Sequence, residues 1–115
     1  MKSLNLGILV ISAAMLIGCA SSETDLIAKG DWNAIGYRDG VKGSLPRTYS
    51  RLKELGEANI GAYEQGYSRG VAEYCNPNFA YQMGLTGHYY EGACEGREDA
   101  QKFRMEWQRG WNERN

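Results

Sequence analysis

The chain has little of what most enzyme chemistry draws on. Its 115 residues include one histidine, His88, two prolines and three cysteines. A single histidine builds no His-rich metal centre, and a Cys-His nucleophile would need a free thiolate beside it. The cysteine spacing is neither C-x-x-C nor a zinc-ligand pattern. With 13 basic and 14 acidic side chains, the formal net charge is −1, and the basic excess that nucleic acid demands is missing. β-branched residues are few and apolar-polar alternation is not sustained, which argues against a sheet. Gly36-Tyr37-Arg38-Asp39-Gly40-Val41-Lys42-Gly43-Ser44 is glycine-rich but lacks phosphate-loop spacing. The expectation is no cofactor, no metal and no catalytic residue.

Long apolar runs are also missing apart from Leu4–Ile17, which is shorter than the roughly 20 residues of a membrane span. Lys2 precedes it and Leu16-Ile17-Gly18-Cys19 closes it. That order fits a bacterial lipoprotein leader better than an ordinary secretory leader or an anchor helix: a small residue, Gly18, before the cleaved bond, then Cys19 to take the diacylglycerol. Two or three acyl chains anchor a protein stably, each buried methylene adding about 0.8 kcal/mol. Ala20, not Asp, follows the cysteine, which points to the inner leaflet of a Gram-negative outer membrane, facing the periplasm. The expected organisation is a signal peptide over 1–18, a lipidated polar tether over 19–30 and one small domain over 31–115.

With Cys19 acylated, Cys75 and Cys94 remain, and two cysteines in an oxidising compartment are expected to pair. Such a loop stabilises by about 3 kcal/mol in the chain-entropy model.

What is plentiful is glycine and aromatic residues, 15 glycines with 8 Tyr, 3 Trp and 2 Phe. The patterning predicts a mainly α, irregular helical domain with glycine-rich turns. Asp31 caps a helix reaching about Val41, and Pro46 opens a second that stops at Gly56. Asn59 caps a third over Ile60 to Tyr74, which carries a Tyr63, Tyr67, Val71, Tyr74 stripe beside Gly66 and Gly70. Residues 76–96 read as turns with one short helical piece around Phe79–Met83. A last helix runs from about Arg97 to Trp111, with Ala100, Phe103, Trp107 and Trp111 on one face. Aromatics followed by spaced glycines recur loosely, at intervals too irregular for a solenoid. The glycines read as packing surfaces that let a neighbouring backbone approach.

Asp31-Trp32-x3-Gly36-Tyr37-x-Asp39-Gly40-x2-Gly43, Tyr63-x2-Gly66-x3-Gly70-x3-Tyr74-Cys75 and Gly84-x2-Gly87-x2-Tyr90-x-Gly92-x-Cys94 together resemble a family of short Gram-negative lipoproteins, domain-of-unknown-function family 2799, over about residues 31–96. The resemblance implies an envelope location and supplies no reaction. Members carry a further cysteine near Leu55, which this chain lacks.

Asp31, Asp39, Glu64, Glu73, Glu91 and Asp99 are the carboxylates from which an acid/base pair for glycan cleavage would be drawn, although Asp31 is better read as a cap. His88 reads as a solvated loop residue. Tyr49, Tyr89 and Tyr90 are the rings expected at the surface, where aromatic faces suit sugars. The leading expectation is a non-catalytic envelope lipoprotein, bound to the membrane through Cys19, with an envelope protein or peptidoglycan as partner. The alternative is a small periplasmic enzyme acting on cell-wall glycan.

Overall fold

The structure is a computed structural model and describes residues 21–114. The leader, the Gly18–Cys19 bond and Cys19 itself lie outside the described residues. Those described form six helices and no strand: α1 Glu23–Lys29, α2 Trp32–Val41, α3 Tyr49–Leu55, α4 Ile60–Tyr74, α5 Pro77–Leu85 and α6 Ala100–Glu113.

Helix α1 corrects the expected tether. Ser22 and Asp25 close a capping box around its first turn, and Gly30 ends it in the left-handed conformation (φ 71°). Leu26 is buried against Trp32, Ile35, Leu52 and Tyr63, so these polar-looking residues belong to the domain. Helices α2 and α4 begin where expected, with Asp31 and Asn59 accepting from Ala34 and Ala62 N–H. Helix α3 starts at Tyr49 with Thr48 as its cap, later than Pro46 suggested. Helix α5 is longer than the short piece expected. Asn76 caps it and Pro77 occupies the first turn, where a missing N–H costs nothing.

Helices α2 and α4 meet backbone to backbone. A Cβ on Gly36 would lie 2.0 Å from the Tyr63 carbonyl oxygen, and one on Gly66 1.9 Å from that of Asn33. Farther along, a Cβ on Gly40 would lie 2.5 Å from Tyr67 O and one on Gly70 2.4 Å from Tyr37 O. The contacts advance in the same direction on both helices, so the pair is parallel. In each contact the α-hydrogen in the Cβ direction points at a carbonyl, a weak C–H···O interaction of tight helix pairs.

Helices α5 and α6 repeat this arrangement. Gly84 faces Trp107 O and Trp111 N, and Gly110 faces Tyr81 O and Leu85 N. Those offsets match Gly40 against Tyr67 O and Val71 N, with Gly70 against Tyr37 O and Val41 N. The rim matches as well. Tyr37 donates to Glu73 at 2.7 Å beneath the Arg69 guanidinium, and Tyr81 donates to Glu113 at 2.5 Å beneath that of Arg109. Tyr37 and Tyr81 each stand three residues before the paired glycine, and Arg69 and Arg109 directly before its partner. The loose repeat in the sequence is thus a duplicated helix pair. Parallel helices require a returning connection, which residues 42–59 and 86–99 provide.

Cys75 and Cys94 form a disulfide, Cα–Cα 5.7 Å. It ties the end of α4 to the second connection, within a core of Val71, Tyr74, Ala80, Tyr90, Ala100 and Phe103.

Candidate binding cleft

The most polar buried point lies in the first helix pair. Asp39, 5% exposed, accepts from Arg47 Nε at 2.9 Å and Nη2 at 3.1 Å and from the Tyr63 hydroxyl at 2.7 Å. Arg47 also pairs with Glu23 at 2.5 Å, and its guanidinium lowers the Glu23 carboxyl below its usual range. Burial, with the Asp39 charge beside it, raises the Tyr63 phenol well above its ordinary value. Both Asp39 carboxylate oxygens have a fixed partner, so Asp39 pins the first connection to the helices.

A cleft of about 560 Å³ opens where the two helix pairs meet, lined by Val41, Lys42, Ser44, Tyr74, Met83 and His88. The groove is wide and open to solvent rather than enclosed, and its volume falls within the range of small-ligand sites. Its first wall is the end of α2 and the turn after it. Gly43 adopts φ 77°, and a Cβ there would lie 2.3 Å from the Tyr74 ring, so both conformation and packing require glycine. The Tyr67 hydroxyl donates to the Ser44 carbonyl at 2.7 Å and holds the turn in place.

The opposite wall is α5 and the residues beyond it. His88 N–H donates to Met83 O at 2.9 Å, and its carbonyl accepts from Trp107 Nε1 at 2.7 Å. With its backbone fixed from both sides, the His88 ring lies with Nε2 2.9 Å from the Tyr74 hydroxyl. Burial, and secondarily the Glu91 charge, pushes the Tyr74 phenol up to about 12. It therefore stays protonated at neutral pH and donates whenever Nε2 is bare. The walls are apolar at Val41 and Met83, with hydrogen-bonding groups at Ser44, Tyr74 and His88 and one ammonium at Lys42.

Of the predicted carboxylates, none lines the cleft. Asp31 caps α2, Asp39 is held by Arg47 and Tyr63, and Glu73 accepts from Tyr37. Among the described residues no group of three His, Cys, Asp or Glu is placed to hold a metal ion. The glycines Gly36, Gly40, Gly66, Gly70 and Gly84 lie in helix contacts, whereas Gly87 and Gly92 form left-handed turns. Tyr49 and Tyr89 are exposed as expected, but Tyr90 is 8% exposed and packs on Tyr74 and Phe103. Its hydroxyl accepts from Cys94 N–H and donates to Glu95, so the buried ring still satisfies its polar end. His88 is more than a solvated loop residue, because its ring engages Tyr74. Val41, Lys42, Ser44 and Met83 carried no sequence signal as site residues, save that Gly43 marks the turn beside them.

A model of the family described as "Protein of unknown function (DUF2799)" matches residues 31–112. The chain is similar to the uncharacterized protein YfiL of Escherichia coli (strain K12), with 27% identity over 104 residues, covering 88% of this chain and 85% of YfiL. No solved structure matches it.

Proposed function

Because the chain belongs to the DUF2799 family, whose description names no activity, we propose a function from the leader and the cleft: a non-catalytic, lipid-anchored envelope protein that binds a partner between its two helix pairs. The observation that carries the binding role is the preformed cleft, whose walls come from both copies of the duplicated pair. Apolar walls with one ammonium at the rim suit an apolar side chain or short segment bearing a carboxylate, as a cell-wall peptide or a protein partner offers. The lipobox Leu16-Ile17-Gly18-Cys19 supports an acyl anchor on Cys19 and a periplasmic face of the outer membrane. Glycan cleavage would require two carboxylates facing the scissile bond, and the cleft is lined by Lys, Ser, Tyr and His instead.

A photo-reactive phenylalanine analogue placed at position 88 tests the binding role in intact cells, with position 102 on exposed α6 surface as its control. An adduct to an envelope protein or a peptidoglycan fragment at 88 alone supports the proposal. No adduct at 88, or equal adducts at both positions, overturns it. The anchor is tested separately by the mass of the mature N-terminus, which should begin with an acylated Cys19.

A further inference from the structure

Only Ala20 and Ser21 separate Cys19 from Ser22, the cap of α1. Three extended residues reach about 11 Å, so an anchor on Cys19 would hold the start of α1 close to the membrane. That start is fixed to the domain by Leu26 and by the Glu23–Arg47 ion pair. Arg47 belongs to the start of the first connection, so that start lies at the anchored end and the rest of the connection runs back along the pair. The positive charges of Lys42 and Arg38 also act on Glu23, which places them at the same end.

The composition of that end is unlike the rest of the chain. Residues 38–53 contain five basic side chains, Arg38, Lys42, Arg47, Arg51 and Lys53, against one acidic, Asp39. The chain as a whole carries −1. Arg47 is shared by Asp39 and Glu23, and Arg51 pairs with Glu54, which leaves Arg38, Lys42 and Lys53 as the cations of this stretch without an ion pair among the described residues. The same stretch exposes Val41 (37%), Leu45 (53%) and Tyr49 (60%), with Lys53 Nζ 4.8 Å from the Tyr49 ring centre. Apolar tips and an aromatic ring among cations on long stems form the pattern of an interfacial membrane contact. The other exposed large apolar residues, Phe79, Tyr89 and Met105, belong to the second pair and its connection.

We propose that residues 38–53 are the membrane-docking face of the domain, with Leu45 and Tyr49 entering the headgroup region of the anchoring leaflet and Arg38, Lys42 and Lys53 facing its anionic phospholipids. The proposal rests on acylation of Cys19. Val41, Lys42 and Ser44 also line the cleft, so docking sets the mouth of the cleft beside the bilayer.

The test uses acylated protein in phosphatidylethanolamine–phosphatidylglycerol vesicles, spin-labelled at Leu45→Cys or, as control, at Gln108→Cys on α6. On vesicle binding, the Leu45 label should become less accessible to a water-soluble nickel chelate and more accessible to oxygen, while the Gln108 label does not change. The shift should weaken in phosphatidylcholine vesicles. An acylated, vesicle-bound protein whose Leu45 label stays open to nickel overturns the docking face alone. Shielding from both reagents indicates a protein contact and overturns it too. A mature N-terminus without acyl chains overturns the anchor and the docking face together, and the mass spectrum separates that case from the others.

Discussion

The two helix pairs share one packing device and differ in what surrounds it. Pair α2/α4 meets over two glycine couples, Gly36 with Gly66 and Gly40 with Gly70. Pair α5/α6 keeps one, Gly84 with Gly110. At the places equivalent to Gly36 and Gly66 it has Ala80 and Glu106. The first pair adds the Asp39–Arg47–Tyr63 lock on its connection. The second adds a disulfide and a packed set of rings, Tyr90, Phe103, Trp107 and Trp111. A single close backbone contact thus specifies the crossing, and the energy lost with the second couple is supplied by a covalent bond and aromatic burial. The Tyr–Glu clasp with an Arg above the ring persists in both pairs, on the surface and independent of these exchanges.

The hardest test of the shared device is a methyl group at its centre. Gly66→Ala puts a Cβ 1.9 Å from the Asn33 carbonyl, and Gly110→Ala puts one 2.0 Å from that of Tyr81. Backbone cannot step aside as a side chain can, so each should cost about 3 kcal/mol or more, the upper end of overpacking. Thermal melts read this, with Gly61→Ala as the reference. Its Cβ meets only Asn59 Oδ1, at 3.7 Å, and it should gain up to about 1 kcal/mol of helix propensity. Equal melting of Gly66→Ala and Gly61→Ala would end the packing interpretation.

The disulfide should separate the pairs. Replacing Cys75 and Cys94 together by serine is expected to cost about 3 kcal/mol for a loop of this length. Hydrogen exchange should show α5 and α6 losing protection before α2 and α4, because the first pair closes without the bond.

Alkaline pH should act chiefly through buried phenols. Tyr74 has an ordinary value of 10.0 and stands at about 12 in the fold. A raised value means the unfolded chain ionises first. The stabilisation is therefore complete below pH 10 and disappears as pH rises through about 12. The shift corresponds to about 3 kcal/mol of stability. Chemical denaturation at stepped pH should show this decline, shallower in Tyr74→Phe. Burial also raises Tyr63 and Tyr90, so some decline persists in that variant.

The surface clasps should matter least. Tyr37→Phe and Tyr81→Phe remove equivalent bonds, to Glu73 and Glu113, at exposed positions where such contacts contribute little. Their melting temperatures should match each other and lie near that of the parent. A large difference between them would show that the two pairs are less alike than their geometry.

Local signals carried much of this fold. Asn59 as a cap and the end at Tyr74 bound α4 as expected, because such signals act within a few residues. Four-residue glycine spacing revealed the contact face of α2 and of α4, though not that each was the other's partner. Tertiary effects hid the remainder. Residues 22–30 look like a tether because most of their side chains are polar, yet Leu26 alone has a buried place waiting in the first core. Gly84 and Gly87 make α5 read as a shorter piece than it is, yet the first is helical and only the second turns the chain. The duplication was obscured by Ala80 and Glu106, which erase half of the glycine pattern. The cleft was invisible because Lys42, Tyr74 and His88 come from three separate segments, and no spacing rule links a histidine to a tyrosine across a helix pair.

The parallel pairing has a consequence in time. Each pair is completed by its own connection, residues 42–59 within the first and 86–99 within the second, so neither half interleaves with the other along the chain. A chain emerging from its N-terminus has every element of the first pair available once Tyr74 is out, before α6 exists. If the first pair forms in that order, Cys75 stays a thiol at the end of a formed helix until Cys94 arrives with the second connection. On such a route the first half would present the surface on which the second assembles, and the Cys75–Cys94 bond would close only after α4 is complete.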